Sequence, residues 1–281
     1  MAGLGVVDVH QHLIKYQSYE PGYRAHLEST NPDYFGGMTA RYSQPAEMDA
    51  MLAASGVDVA VAMAEDAPLT TGLASSEYVS AFCRQTKRMR FFASINPMTR
   101  LDAASQLEHD VTELGAIGLK LYPSYQWFYP NDRALYPLYA RAQEMGVPIT
   151  FHTGSSTFAG SRIKYAQPLH LDDVAVDFPE LVILMAHAGR PFWYAEAEWL
   201  VKRHRNVYID LAGLPPKRLL QYLPDLERIS GKVLFGSDWP AIPSTLADNV
   251  AQLRALPISD GAKQAILNDN ARRVLKLDAL T

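Results

Sequence analysis

Short runs of β-branched and other apolar residues alternate with segments of helical periodicity along this chain of 281 residues. The runs predicted as strands are Val6–Val9, Val57–Ala64, Phe91–Asn96, Ile117–Tyr122, Ile149–His152, Val182–His187, Val207–Asp210 and Val233–Ser237. The segments predicted as helices are Ala46–Ser55, Ser76–Lys87, Leu101–Leu114, Arg133–Glu144, Trp193–His204, Pro216–Leu223, Ser244–Leu256, Asp260–Asn268 and Asn270–Leu277. Such alternation predicts parallel strands with right-handed crossovers, and eight units close into an α/β fold, the (β/α)8 TIM barrel. No residues remain for a second unit, so we expect one barrel domain over residues 1–281.

Composition and charge exclude several classes of protein. The chain has 26 Lys and Arg against 30 Asp and Glu, and it has no basic block, so we expect no nucleic-acid partner. No apolar run approaches the roughly 20 residues that span a bilayer, and the first residues do not resemble a secretory signal, so we expect a cytoplasmic protein without a membrane partner. The single cysteine, Cys83, lies in a predicted helix and is interpreted as a buried structural thiol.

The connection after the first strand, Leu13–Gln44, is much longer than the others and carries six aromatic residues. We expect it to be a long loop without regular structure. In a barrel, the loops that follow strands lie on the face that carries the active site, so this one is predicted to be a lid or a substrate wall, with Gly36 and Gly37 as a hinge. The alternative is a surface excursion whose aromatic residues pack on the barrel rim.

Residues that can bind metal occur at the ends of several predicted strands. His10 and His12 are two apart, so their side chains share one face of the first strand. His152, His187 and Asp238 each follow or end another strand. Imidazoles and a carboxylate suit a divalent ion such as zinc, and an open coordination position would make the site catalytic. Each histidine alone is equally compatible with an ordinary core position.

The remaining histidines, His26, His109, His170 and His204, fall in helices or loops and are given no special role. Asp8 either orients a metal ligand or is satisfied at the base of the barrel.

Taken together, the D-x-H-x-H motif of residues 8–12 and the segments GLKLYP, FHTG, AHAGRP, NVYIDLAG and FGSDWP resemble the amidohydrolase superfamily. The resemblance is to the amidohydrolase-related branch that includes aminocarboxymuconate-semialdehyde decarboxylase, and it covers nearly the whole chain. It implies a distorted barrel with one divalent metal ion, zinc or alternatively manganese, bound by His10, His12, His152 and Asp238. It also implies that His187 lies beside the reacting water rather than on the metal.

Four further residues are predicted to contact the substrate: Lys120, Tyr122, Arg190 and Trp239. Strand alternation points Lys120 into the barrel, where an ammonium group needs a partner such as Asp238, Asp210 or a substrate carboxylate. Tyr122 departs from the branch, which often has histidine there. A lysine on this strand bridges two metals in binuclear members of the superfamily, a less favoured role here.

Other residues near the strand ends are also considered as parts of the substrate site. They are the cations Arg24 and Arg41 and the aromatic residues Tyr125, Trp127, Phe128 and Trp193, for which packing on the barrel rim is the alternative.

The resemblance, together with these residues, implies a metal-dependent hydrolase that acts on a small, carboxylate-bearing amide, lactone or cyclic ester. Asp238 would transfer the proton and His187 would position the water or stabilise the oxyanion. The alternative is a metal-dependent, non-oxidative decarboxylase of an unsaturated or aromatic acid. A third reading is a metal-free binding protein or lactonase. The predicted partner is a small acidic molecule, and the exposed aromatic residues permit a homodimer.

Overall fold

The computed structural model describes residues 5–279. The barrel strands are β1 (Val6–His12), β3 (Val57–Met63), β6 (Met89–Ser94), β7 (Leu119–Leu121), β8 (Ile149–His152), β9 (Ile183–Ala186), β10 (Val207–Asp210) and β11 (Val233–Leu234). They form one sheet in chain order, and all their pairings are parallel. The backbone N–H of Val9 donates to Phe235 at 2.9 Å and that of His12 to Trp239 at 2.8 Å, which joins the first strand to the last. The predicted barrel is confirmed; residues 1–4 and 280–281 of the expected domain lie outside the described residues.

The helices surround this sheet. Their bounds are α1 (Pro21–Thr30), α2 (Thr39–Tyr42), α3 (Pro45–Ala54), α4 (Ser76–Cys83), α5 (Ala103–Thr112), α6 (Pro123–Gln126), α7 (Tyr136–Met145), α8 (His170–Asp177), α9 (Tyr194–Arg203), α10 (Leu219–Tyr222), α11 (Leu246–Arg254), α12 (Asp260–Gln264) and α13 (Asn270–Val274). Of these, α1, α2, α6 and α8 were not predicted. None of the helices within residues 5–279 is long and apolar enough to cross a membrane.

Strand alternation divides the apolar core into two layers. The inner layer fills the barrel with alternate strand residues, among them Val7, Val9, Phe92, Leu184 and Leu234. The outer layer packs the other strand faces against the helices. The pairing of β1 with β3 shifts register between Asp8 and Gln11, and this irregularity lets His10 and His12 face the barrel mouth although Val7 and Val9 fill its interior.

The segment after β1 is structured, which corrects the expectation of an irregular loop over Leu13–Gln44. It contains α1, the short strand β2 (Ser18–Tyr19), a π-helical turn over Tyr34–Met38 and α2. Helix α1 starts at Pro21, and the Glu20 side chain accepts hydrogen bonds from the N–H groups of Gly22 and Tyr23. The capping signal was therefore present in the sequence.

A second sheet, also unpredicted, lies beside this segment. The strand β2 pairs antiparallel with β5 (Gly72–Ala74), which pairs antiparallel with β4 (Glu65–Ala67). This sheet places Glu65 directly after barrel strand β3. Elsewhere, Cys83 is buried as expected, and burial raises the pKa of its thiol to about 12.

Candidate metal centre and active site

A cavity of about 300 Å³ opens at the carboxyl ends of the barrel strands, where the predicted site residues converge. His10, His12, His152, His187 and Asp238 all contribute to its lining. These five residues come from four different strand ends, and the structure brings all of them together. The face expected for function is therefore the face where the cavity lies.

Among residues 5–279, one group of three side chains has the spacing of metal ligands. One ligand atom from each of His10, His187 and Asp238 lies within 4.8 Å of the others. The other two predicted ligands border this group: His12 Nε2 is 3.5 Å from Asp238 Oδ1, and His152 Nδ1 is 3.2 Å from His187 Nε2. The group can hold a divalent metal ion.

Hydrogen bonds on the far side of the rings fix which nitrogen of His10 and His187 faces the cavity. His10 Nδ1 lies 2.6 Å from the buried carboxylate oxygen Oδ2 of Asp210, and His187 Nδ1 lies 2.8 Å from the carbonyl oxygen of Ala212. Both partners only accept, so both Nδ1 atoms carry the proton. His10 Nε2 therefore carries the lone pair that metal binding requires.

The same reasoning extends to His152. Because His187 Nδ1 is protonated, a neutral His187 accepts at Nε2, and the contact at 3.2 Å makes His152 Nδ1 the donor. His152 Nε2 is then an acceptor, and it is buried without a hydrogen-bond partner in the described part of the chain. An orphaned buried lone pair is costly unless a cation binds it.

The spacing of the acceptor atoms also fits a metal ion. Asp238 Oδ1 lies 3.6 Å from His10 Nε2 and 3.5 Å from His12 Nε2. Ligand atoms bound at about 2.0–2.1 Å to a tetrahedral zinc ion are roughly 3.4 Å apart. The donor set and its spacing therefore suit a resident divalent ion.

The electrostatics of the site favour neutral imidazoles and an ionised carboxylate. Burial lowers the pKa of His10, and it lowers those of His152 and His187 well below the usual value, with Arg190 adding to the effect for the latter two. Burial alone would raise the pKa of Asp238. Contact with His12 and the nearby positive charge of Arg190 instead hold the pKa of Asp238 well below its usual range.

The backbone is strained at two site residues. His187 has φ of 64° and Asp238 has φ of 68°, in the left-handed region that residues other than glycine rarely adopt. Gly213 permits the close packing beside them, because a Cβ atom there would collide with Arg190 and lie 2.6 Å from Asp238 Oδ2. The turns at these strand ends therefore aim both side chains into the cavity.

Lys120 lies inside the barrel as predicted and is fully buried. Its Nζ is 3.4 Å from His10 Nε2, and in the described part of the chain no carboxylate oxygen lies within 4.0 Å of it. Neither Asp238 nor Asp210 therefore forms the ion pair that the sequence allowed. Burial lowers the pKa of Lys120 to about 8.

Two other predicted substrate contacts also line the cavity. Arg190 donates to the carbonyl oxygen of Gly213 at 2.8 Å, and its other terminal nitrogen is 3.7 Å from Asp238 Oδ2. The Tyr122 hydroxyl donates to the carbonyl oxygen of Ala64 at 3.0 Å, and its ring stacks on Tyr125. Arg190 thus supplies a cation and the tyrosines a flat wall.

Trp239 does not line the cavity, and its predicted substrate contact stays a prediction. Its ring packs edge-on against Tyr42, because the turn at Asp238 directs the next side chain away from the barrel mouth. Arg24 and Arg41 are also outside the lining and instead pair with Glu28 and Glu47 on the surface. Of the aromatic residues considered, Trp127, Phe128 and Trp193 lie outside it too.

Several residues at or behind the cavity were missed or misjudged. Glu65 is buried and lines it, but its strand gave no sequence signal. Asp210, at the end of β10, was considered only as a partner of Lys120 but contacts His10. His26 lines the cavity mouth with its ring against Phe158, although no special role was predicted for it. Asp8 instead accepts from Ser237, Gln11 and the backbone of His10, and so braces β1.

Solved structures show the same fold. An uncharacterised TIM-barrel protein from Bordetella bronchiseptica superposes with a TM-score of 0.81 at 23% identity, covering 98% of this chain and 100% of that one. A 5-carboxyvanillate decarboxylase from Novosphingobium aromaticivorans, complexed with manganese and 4-hydroxy-3-methoxy-5-nitrobenzoic acid, superposes with a TM-score of 0.71 at 15% identity, covering 98% and 96%.

Sequence comparison gives a relative and a family. The 2-keto-4-carboxy-3-hexenedioate hydratase of Sphingobium sp. is 29% identical over 214 residues, which are 62% of this chain and 61% of the hydratase. The match thus spans less than two thirds of that enzyme's length. The amidohydrolase family model matches residues 7–277, and with nearly the whole chain covered, this protein belongs to the amidohydrolase family of enzymes.

Proposed function

We propose that this enzyme is a metal-dependent hydrolase of a small, carboxylate-bearing amide, lactone or cyclic ester. His10, His12 and His152 would bind one divalent ion through Nε2, and Asp238 through Oδ1. Zinc suits three imidazoles and a carboxylate, with manganese as the alternative. The lone pairs derived above for His10 and His152, and the 3.5 Å contact of His12 Nε2 with Asp238 Oδ1, support this ligand set.

The observation that carries the proposal is that the two carboxylate oxygens of Asp238 have different neighbours. Oδ1 faces His10 and His12, whereas Oδ2 faces Arg190 at 3.7 Å and His187 at 4.0 Å. One oxygen is thus available to a metal and the other to a proton. A carboxylate in this position can accept a proton from water that a bound metal ion would acidify.

Each remaining group has a role in the same reaction. When bound, the metal ion supplies Lewis-acid chemistry that polarises a carbonyl group and acidifies water. Asp238 accepts the proton of the attacking water and returns it to the leaving group. His187, whose Nδ1–H is held by the Ala212 carbonyl, is placed to position the attacking water. Lys120 and Arg190 bind the substrate carboxylate.

Decarboxylation of an aromatic acid is the second candidate. Tyr122 and Tyr125 stack with their rings 15° from parallel, and Phe158 packs against Tyr125, so the cavity offers a flat aromatic wall. The manganese-bound structural neighbour is a decarboxylase of a substituted benzoate, whereas the hydratase relative adds water to its substrate. Both reactions use the same metal-facing residues and differ in whether water is consumed.

Mass spectrometry of the product separates these reactions. The zinc-loaded and manganese-loaded enzymes are incubated in ¹⁸O-water with carboxylated lactones, amides and aromatic acids. We expect the mass of one water to be added, to a single ring-opened product for a lactone or to the acid and amine together for an amide, with ¹⁸O in the new carboxylate. The Asp238→Asn variant, prepared in parallel, is the control for contaminating activity. Loss of the mass of carbon dioxide without ¹⁸O uptake would replace hydrolysis by the second candidate.

A further inference from the structure

A chain of three buried side chains extends from the proposed metal site into the unpredicted sheet. His12 Nδ1 lies 2.9 Å from the Tyr16 hydroxyl, which donates to Glu65 Oε2 at 2.7 Å. The other Glu65 oxygen accepts from the Thr71 hydroxyl. His12 is 8% exposed, Tyr16 3% and Glu65 2%, so water competes little for these bonds. His12 ends barrel strand β1, whereas Tyr16, Glu65 and Thr71 lie outside the barrel strands.

The protons along this chain have one consistent arrangement when Glu65 is a carboxylate. A carboxylate can only accept, so the single phenolic proton of Tyr16 is directed to Glu65. The phenolic oxygen then accepts from His12 Nδ1–H. The Nε2 atom of His12 is left with a free lone pair, 3.5 Å from Asp238 Oδ1. The opposite arrangement would place a proton on His12 Nε2 and block metal binding there.

Packing alone does not require the hydrogen bonds that link His12, Tyr16 and Glu65. The Tyr16 ring is already held between Tyr19, whose ring stacks 5.2 Å away, and Tyr23 at 5.8 Å. A buried carboxylate that receives only neutral donors is costly, and an amide would satisfy Thr71 and Tyr16 at lower cost. Stability of the fold therefore does not explain why a carboxylate, rather than an amide, occupies position 65.

We propose that Glu65, acting through Tyr16, is a positioning residue that fixes the proton of His12 on Nδ1 and presents Nε2 to the metal. The inference rests on the proposed role of His12 as a ligand. Asp210 holds His10 in the equivalent state by direct contact. The two histidines of β1 thus depend on carboxylates from different elements, β10 for His10 and β4 for His12.

The first test compares two neighbouring tyrosines. Tyr16→Phe removes the acceptor of His12, whereas Tyr19→Phe removes a hydroxyl that does not contact His12 and instead bonds the Ile14 carbonyl, the Tyr16 N–H and the Tyr34 side chain. Zinc affinity is measured by chelator competition, and the visible spectrum of the cobalt-loaded protein reports on the ligands. We expect Tyr16→Phe to weaken zinc binding about 10- to 100-fold and to alter the spectrum. Tyr19→Phe should change affinity by less than about threefold. Equal affinities of the two variants would overturn the proposal.

The second test asks whether Glu65 acts through Tyr16. Glu65→Gln keeps the shape of the side chain and removes its charge, and we expect a loss of zinc affinity in the same range as for Tyr16→Phe. When Glu65→Gln is combined with Tyr16→Phe, it should lower zinc affinity by less than about a further twofold, because Tyr16→Phe has already broken the link to His12. A full additional loss would show that Glu65 acts on the metal by another route and would reject its assignment as a positioning residue.

His12→Ala separates this inference from the proposed ligand set. If His12→Ala loses the metal but Tyr16→Phe binds it normally, the positioning role of Tyr16 and Glu65 is wrong and the assignment of His12 as a ligand stands. If His12→Ala itself binds zinc as the unmodified protein does, the ligand assignment fails, and the positioning role fails with it. Circular dichroism of each metal-free variant confirms that the fold is retained.

Discussion

Replacement of Lys120 by methionine should stabilise the metal-free protein. The ammonium group is fully buried, has no carboxylate oxygen within 4.0 Å in the described residues and contacts only His10 Nε2 and the Tyr122 ring. Methionine has a similar length and no charge, so it removes the cost of burying an unpaired cation. The lysine is therefore expected to be retained for function and to reduce stability.

The lowered pKa sets the size and the sign of this effect. Burial takes the pKa of Lys120 from 10.5 to about 8, and at about 1.36 kcal/mol per unit this corresponds to roughly 3 kcal/mol as an upper value. Because the folded state loses the proton first, the penalty is fully present below about pH 8 and disappears as the pH rises toward 10.5. For a chain of this size, the thermal midpoint should rise by roughly 2–6 °C at pH 7.

The assay is thermal unfolding of the metal-free protein in the presence of chelator, at pH 7 and at pH 10. Lys217→Met, at an exposed position, serves as the matched control and should leave the midpoint nearly unchanged at both pH values. Lys120→Met should raise the midpoint of thermal unfolding at pH 7, and most of this increase should be absent at pH 10. A midpoint at pH 7 equal to or below that of the unmodified protein would refute the reasoning.

Three other predictions concern the metal and the proton. His12→Ala should lose its metal together with its activity, because an incomplete ligand set holds zinc poorly; elemental analysis that finds about one ion per chain would remove His12 from the ligands. Asp238→Asn should keep the fold by circular dichroism and lower kcat by about 10²- to 10⁴-fold, since a neutral amide cannot accept the proton; near-normal turnover would reject the role of base. Asp210→Asn should weaken zinc binding by about 10- to 100-fold, because the amide holds the Nδ1 proton of His10 less firmly, and unchanged affinity in chelator competition would contradict this.

The fold and the meeting of the strand-end histidines and Asp238 were predictable because both follow from local pattern. Eight apolar runs separated by helical periodicity specify parallel strands, and residues that end such strands must meet at one face of the barrel. His152 and Asp238 could therefore be placed together although 86 positions separate them. Periodicity is a property of the chain itself, so it needs no knowledge of tertiary contacts.

The supporting residues were not predictable, because they depend on contacts between segments distant in sequence. Glu65 comes near Tyr16 only after β4 and β5 pair with β2, and the short strands carry no periodic signal of their own. His26 reaches the cavity because α1 folds back over it, in a segment expected to be irregular. The Glu20 cap and Pro21 would have identified that helix, whereas nothing local indicated its position over the barrel mouth.

Charge balance links the metal to the choice of substrate. The site holds three buried carboxylates, on Asp210, Asp238 and Glu65, against two cationic side chains, Lys120 and Arg190. The metal-free site therefore carries an excess of one formal negative charge, which attracts a divalent cation. A bound divalent ion reverses the excess to one positive charge, and a substrate with one carboxylate near Lys120 and Arg190 would neutralise it. The same residues that would favour metal binding would thus favour an anion at the loaded site, and this charge balance supports the proposed acidic substrate independently of any relative.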